Sequence, residues 1–140
     1  MFQSAATDIV PNDTNAAWDV FVRDLASETT ERVSVGPSGS QVSGYSFRPA
    51  ISARGQFVAF SSYARDLVPG DSNGMADVFV RDLRTGRTSL RSLTSSGGSA
   101  DAACGFPSIS EGAGRVVFVS AADNLVASDA NQKFDVFVRD

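Results

Sequence analysis

Asp19-Val20-Phe21-Val22-Arg23-Asp24 returns unchanged as Asp77-Val78-Phe79-Val80-Arg81-Asp82 and again as Asp135-Val136-Phe137-Val138-Arg139-Asp140, each copy 58 residues after the last. A six-residue identity at one fixed interval marks a repeat protein, in which each unit is too small to bury its apolar face alone and stacks on a neighbour. The register spreads outward from the hexapeptide. Phe2, Phe60 and Phe118 align, then Asp13, Asp71 and Asp129, then Asn15, Asn73 and Asn131. Pro49-Ala50-Ile51-Ser52 answers Pro107-Ser108-Ile109-Ser110. Matching Arg32 to Arg91 leaves the stretch before the proline one residue different in length, the slack expected of a turn. On this count residues 25–82 and 83–140 are two repeat units, and residues 1–24 are the last part, a partial blade, of a preceding one. Met1 stands where an apolar strand should already be running, so the expectation is a fragment, or a protomer completed by assembly.

Each unit reads as short apolar segments punctuated by Gly, Ser, Asn, Asp and Pro, the signals of strands and turns. In the middle of the chain these are Arg48 to Ala53, Gln56 to Ser61, Asp77 to Leu83 and Thr88 to Leu93, with a tight turn at Arg54-Gly55. Opposite Gly55 stands Ala113, beside Gly112 and Gly114, so the matching turn is expected to differ in detail. No segment carries an apolar period of 3.6, and the fold class is therefore all-β. Phe57-Val58-Ala59-Phe60 and Val78-Phe79-Val80 are continuously apolar, which requires sheets covered on both faces. Four-stranded antiparallel blades stacked around an axis meet that requirement, whereas a two-sheet sandwich would show stricter alternation. The expected architecture is a β-propeller, an incomplete ring of about two and a half blades.

Pro49-Ala50-Ile51-Ser52 with its glycine turn, Phe57-Val58-Ala59-Phe60-Ser61-Ser62 and Asp77-Val78-Phe79-Val80-Arg81-Asp82-Leu83 resemble the blades of TolB-like β-propellers, and the pattern covers essentially the whole chain. The resemblance implies fold more than activity. It implies a secreted or cell-envelope location. It also extends to propellers that gate serine peptidases related to prolyl oligopeptidases, where the chemistry sits on a separate α/β-hydrolase domain.

Composition narrows the function. A hydrophobic fraction of 42% with 20% charged residues is that of an ordinary folded domain. A net charge of -4 and a pI near 4.7 argue against nucleic acid, which calls for a basic face. The first residues carry neither a basic start nor an apolar stretch, so they are not read as a signal peptide, and no apolar run is long enough for a membrane span. The one cysteine, Cys104, reads as a small packed residue. There is no histidine, which removes the Ser-His-Asp and Cys-His arrangements and almost every zinc site. The expectation is that the chain is not an enzyme.

Twelve of the 13 aspartates lie in the three equivalent segments, where the spacing is Asp-x-Asn-x-x-x-Asp. Calcium takes carboxylate, amide and carbonyl oxygens that converge from such spacings, so the candidate metal sets are Asp13, Asn15 and Asp19; Asp71, Asn73 and Asp77; and Asp129, Asn131 and Asp135. Asp8, Asp66 and Asn124, ahead of each loop, are candidate extra oxygens. The competing reading is that the Asx residues close turns and cap the backbone at strand starts. Arg23, Arg81 and Arg139 are expected to pair with an aspartate of the same or next blade, and Trp18 to pack locally. The leading function is a non-catalytic scaffold for a protein, peptide or glycan, completed by further blades or a homo-oligomer, with calcium as a structural ion. The alternatives are the propeller of a serine peptidase and a calcium-dependent extracellular adhesion module.

Overall fold

The computed structural model describes residues 1–140. Ten strands follow one another: β1 (Phe2–Ser4), β2 (Asp19–Asp24), β3 (Thr29–Arg32), β4 (Ser46–Ile51), β5 (Phe57–Ser62), β6 (Asp77–Asp82), β7 (Arg87–Leu90), β8 (Cys104–Ile109), β9 (Val116–Ser120) and β10 (Asp135–Arg139). Apart from a 3-10 turn at Pro37–Gly39 there is no helix. The strands form three antiparallel sheets, β1-β2-β3, β4-β5-β6-β7 and β8-β9-β10. The chain is all-β, and the sheets are successive blades of a partial propeller. The sheets do not break where the sequence units do: β3 lies after residue 25 yet pairs with β2.

The strands differ from their expected bounds in one informative place. The first strand of the middle sheet starts at Ser46, two residues before the expected Arg48, because a bulge interrupts its pairing with β5 between Phe47 and Ala50. Arg48 takes φ 53 inside that bulge. The same irregularity lies between Gly105 and Ser108, where Phe106 takes φ 55. Both residues precede a proline, which ordinarily pushes its predecessor to extended backbone, so the left-handed conformation belongs to the bulge and not to the proline.

One expectation about register is corrected, and one about a turn is filled in. Arg32 lies opposite Phe21, and Leu90 lies opposite Phe79, so Arg32 corresponds to Leu90 and not to Arg91. The 58-residue interval then holds through the whole linker with no slack. Ala113 takes φ 54 where Gly55 takes φ 73, and both N–H groups close the turn onto the serine carbonyl three residues back, at 3.1 and 2.8 Å. The two turns share that bond and the left-handed backbone, and differ in detail in that the Ala113 N–H also reaches the Glu111 carbonyl at 3.0 Å.

Stacking explains the continuous apolar runs. On one face of the middle sheet Val58, Phe60 and Phe79 pack with Val20 of the first sheet and with Val33 and Val42 of the linker that follows it. On the other face Ala59, Val78 and Val80 pack against Cys104, Val116, Phe118 and Phe137 of the last sheet. Each joint thus lays a valine face on a phenylalanine face. The phenylalanines pair across strands, Phe2 on Phe21, Phe60 on Phe79 and Phe118 on Phe137, with ring centres 5.4, 5.9 and 5.8 Å apart. Each pair adds about 1 kcal/mol beyond the area it buries.

Candidate cation site in the aspartate loops

The three loops join β1 to β2, β5 to β6 and β9 to β10, and their asparagines build them alike. The side-chain oxygens of Asn15, Asn73 and Asn131 accept the N–H two residues on, from Ala17, Met75 and Lys133, at 3.0, 3.0 and 2.7 Å. These are Asx turns. The amide nitrogens of Asn15 and Asn73 donate to the carbonyls of Val42 and Ala100, each at 3.1 Å, tying the loop to the linker that leads to the next blade. The last aspartate anchors the strand behind it. Ser34 and Ser92 donate to Oδ1 of Asp19 and Asp77 at 2.5 Å, and accept the N–H of Val20 and Val78 at 3.1 and 3.0 Å.

The carboxylate pairs differ sharply between copies. In the first loop the Arg32 guanidinium sits between the two acids, 3.2 Å from Oδ1 of Asp13 and 3.4 Å from Oδ2 of Asp19. Gln41 adds a donor to Asp13 at 2.9 Å. In the second loop the positions of Arg32 and Gln41, counted on by 58 residues, hold Leu90 and Ser99. Neither residue donates to the acids. Oδ1 of Asp71 and Oδ2 of Asp77 are buried with no hydrogen-bond partner, although Asp71 is 8% exposed and Asp77 fully buried. Burial, and then the negative charge of Asp77, push the Asp71 carboxyl up to about 6, and burial raises Asp77 as well. In the third loop Asp129 and Asp135 are only half-buried, and Oδ2 of Asp135 takes the Asn131 amide at 2.8 Å.

The sets inferred from spacing thus come together as pairs of carboxylates, with the asparagine between them engaged in the turn. No three acidic, cysteine or histidine side chains gather at one point. Asp66 and Asn124 accept the N–H of Ser43 and Asp101, at 3.2 and 3.1 Å, and so clasp the linker. Asp8 is exposed. Arg32 and Gln41 went unnoticed in the sequence. The signal that finds them is the strict 58-residue offset, which sets each against a residue of different chemistry.

Five further side chains depart from, or fill in, the sequence reading. Arg23 and Arg81 donate to Thr30 and Thr88, both at 3.1 Å, and Arg139 to the Thr94 carbonyl at 3.0 Å; none pairs with an aspartate. The reason is cross-strand register: Arg23 lies opposite Thr30 and Arg81 opposite Thr88, so the hydroxyl is the nearest acceptor. Trp18, expected to pack, is 45% exposed. Cys104 is buried, and desolvation pushes its thiol up to about 11.

No family model matches the chain, and no curated protein matches it. Among solved structures it is similar to the crystal structure of TolB from Acinetobacter baumannii, with 17% identity and a TM-score of 0.48, over 91% of this chain and 25% of that one. The chain therefore spans about a quarter of that structure's length.

Proposed function

We propose that the chain is a non-catalytic scaffold, a run of propeller blades whose open end faces take up further blades of the same kind. The observation that carries this reading is the fate of one hexapeptide. Val78 and Val80 are 0% and 2% exposed between two sheets, whereas Val136 and Val138, in the same sequence on β10, are 68% and 61% exposed. The valine face of the last sheet is the face that, at both internal joints, receives a phenylalanine face. At the other end, on a face of that second type, Phe2 is 38% exposed and stacked on a fully buried Phe21. The two ends are complementary head to tail, and burying each valine contributes about 2 kcal/mol. The chemistry of the chain supports the same reading, since it has no histidine and its one thiol is buried and neutral.

The test is light scattering across a concentration series, with a hydrophobic dye present. The wild-type chain should associate or bind dye, and Val136→Asp with Val138→Asp should suppress both while leaving the melting transition in place. A monodisperse wild-type monomer at high concentration that binds no dye would overturn the reading.

A further inference from the structure

We propose that the second aspartate loop, and it alone, holds a hard divalent cation of the calcium class between Asp71 and Asp77. The first loop shows what such a pair of acids requires. There the guanidinium of Arg32 lies between Asp13 and Asp19, and Gln41 supplies a further donor. In the second loop the backbone repeats the first in detail, with the same Asx turn, the same serine on the last aspartate and the same tie from asparagine to the linker carbonyl. The bridging guanidinium and the glutamine donor are missing, because Leu90 and Ser99 stand in their places, and the positive charge that acts on Asp71 is that of Arg65.

Two carboxylate oxygens, Oδ1 of Asp71 and Oδ2 of Asp77, are left buried and unpartnered in that loop, against one, Oδ2 of Asp13, in the first. Like charges brought together out of water are destabilising unless a cation or several N–H donors offset them. Asp71 is 8% exposed and Asp77 fully buried, so little of either acid is reached by water. Calcium accepts carboxylate oxygens and completes its shell with water. In this chain the acids of the third loop are half-buried and so reached by water, and Asp135 is bonded by Asn131 as Asp19 is by Asn15. The one nearby rival is Arg65, an exposed residue whose guanidinium lies against Gly74; its charge partly offsets the rise at Asp71, but it makes no ion pair with either acid.

Melting curves and calorimetric titration with calcium chloride, against the same chain in chelator, test the proposal. One ion should bind per chain, and the midpoint should rise by roughly 9 °C at a hundredfold excess over Kd. Asp71→Asn should abolish the response. Leu90→Arg with Ser99→Gln, which copies the first loop's donors, should abolish it too and raise the melting point in chelator. Arg32→Leu with Gln41→Ser should create a second ion site. Superimposable wild-type curves, three ions per chain, or a response that survives Asp71→Asn would overturn the proposal. It would also fall if calcium had no effect while Arg65→Ala destabilised the chain, for then the guanidinium is the partner.

Discussion

Gly55 and Ala113 hold the same backbone with different side chains, and the difference can be measured. At Gly55, φ is 73 and a Cβ would meet nothing within 4 Å, so only the left-handed backbone penalises a side chain there. Gly55→Ala should cost about 1 kcal/mol, read as a lower urea midpoint at unchanged slope. An unchanged midpoint would mean that the turn is not formed as described. The same scale shows where the sequence was hard to read. Arg32 and Arg91 look like landmarks because they are the same residue, but a strand turns its side chains to opposite faces in alternation, so a slip of one residue exchanges the faces. Matching letters instead of intervals hid the arginine that organises the first loop, and with it the bareness of Asp71. The acids themselves were legible from spacing. Their charge balance was not, because Arg32 lies 13 residues beyond Asp19 and Gln41 lies 28 beyond Asp13.

Among the elements, the strands were legible wherever both faces are covered, as in β5 and β6, because burial leaves an unbroken apolar run. The bulges of β4 and β8 were not, since a single left-handed residue leaves no mark in hydrophobicity. The hairpin turns after β2 and β6 carry a readable charge of their own. N–H groups of Ala26 and Ser27 bond Asp24 and hold its carboxyl below the ordinary 3.8. At Asp82 burial works the other way, but bonds from Thr85, Gln56 and the Arg84 N–H outweigh it, and this carboxyl too is lowered. A depressed native pKa means the ionised form is favoured by folding. Its contribution is full above pH 3.8 and is lost as pH falls through the lower native value. Asp24→Asn with Asp82→Asn should therefore flatten the decline of stability below pH 4, since asparagine still accepts the turn bonds but does not titrate. Identical acid titrations of variant and wild type would show that these bonds do not distinguish the ionised form.

Across the whole molecule, burial is a property of position in the stack, and for that reason it could not be read from a hexapeptide that is the same in all three sheets. What the stack does preserve is the interval, and the interval governs how such a chain can change length. Removing 58 residues leaves every remaining joint a valine face on a phenylalanine face, so deletions of that size should fold while deletions of other sizes break the register. Yet two such deletions would not be equivalent. Removing residues 42–99 keeps Asp13 and Asp19 with Arg32 and Gln41, and the shortened chain should melt alike in calcium and in chelator. Removing residues 25–82 brings Leu90 and Ser99 against the same two aspartates, and that chain should depend on calcium. Where the chain is cut and rejoined thus selects between an internal counter-ion and a borrowed one, so a duplication or loss of one unit in its ancestry would rewrite the ionic requirements of the protein without altering a residue in any aspartate loop that survived.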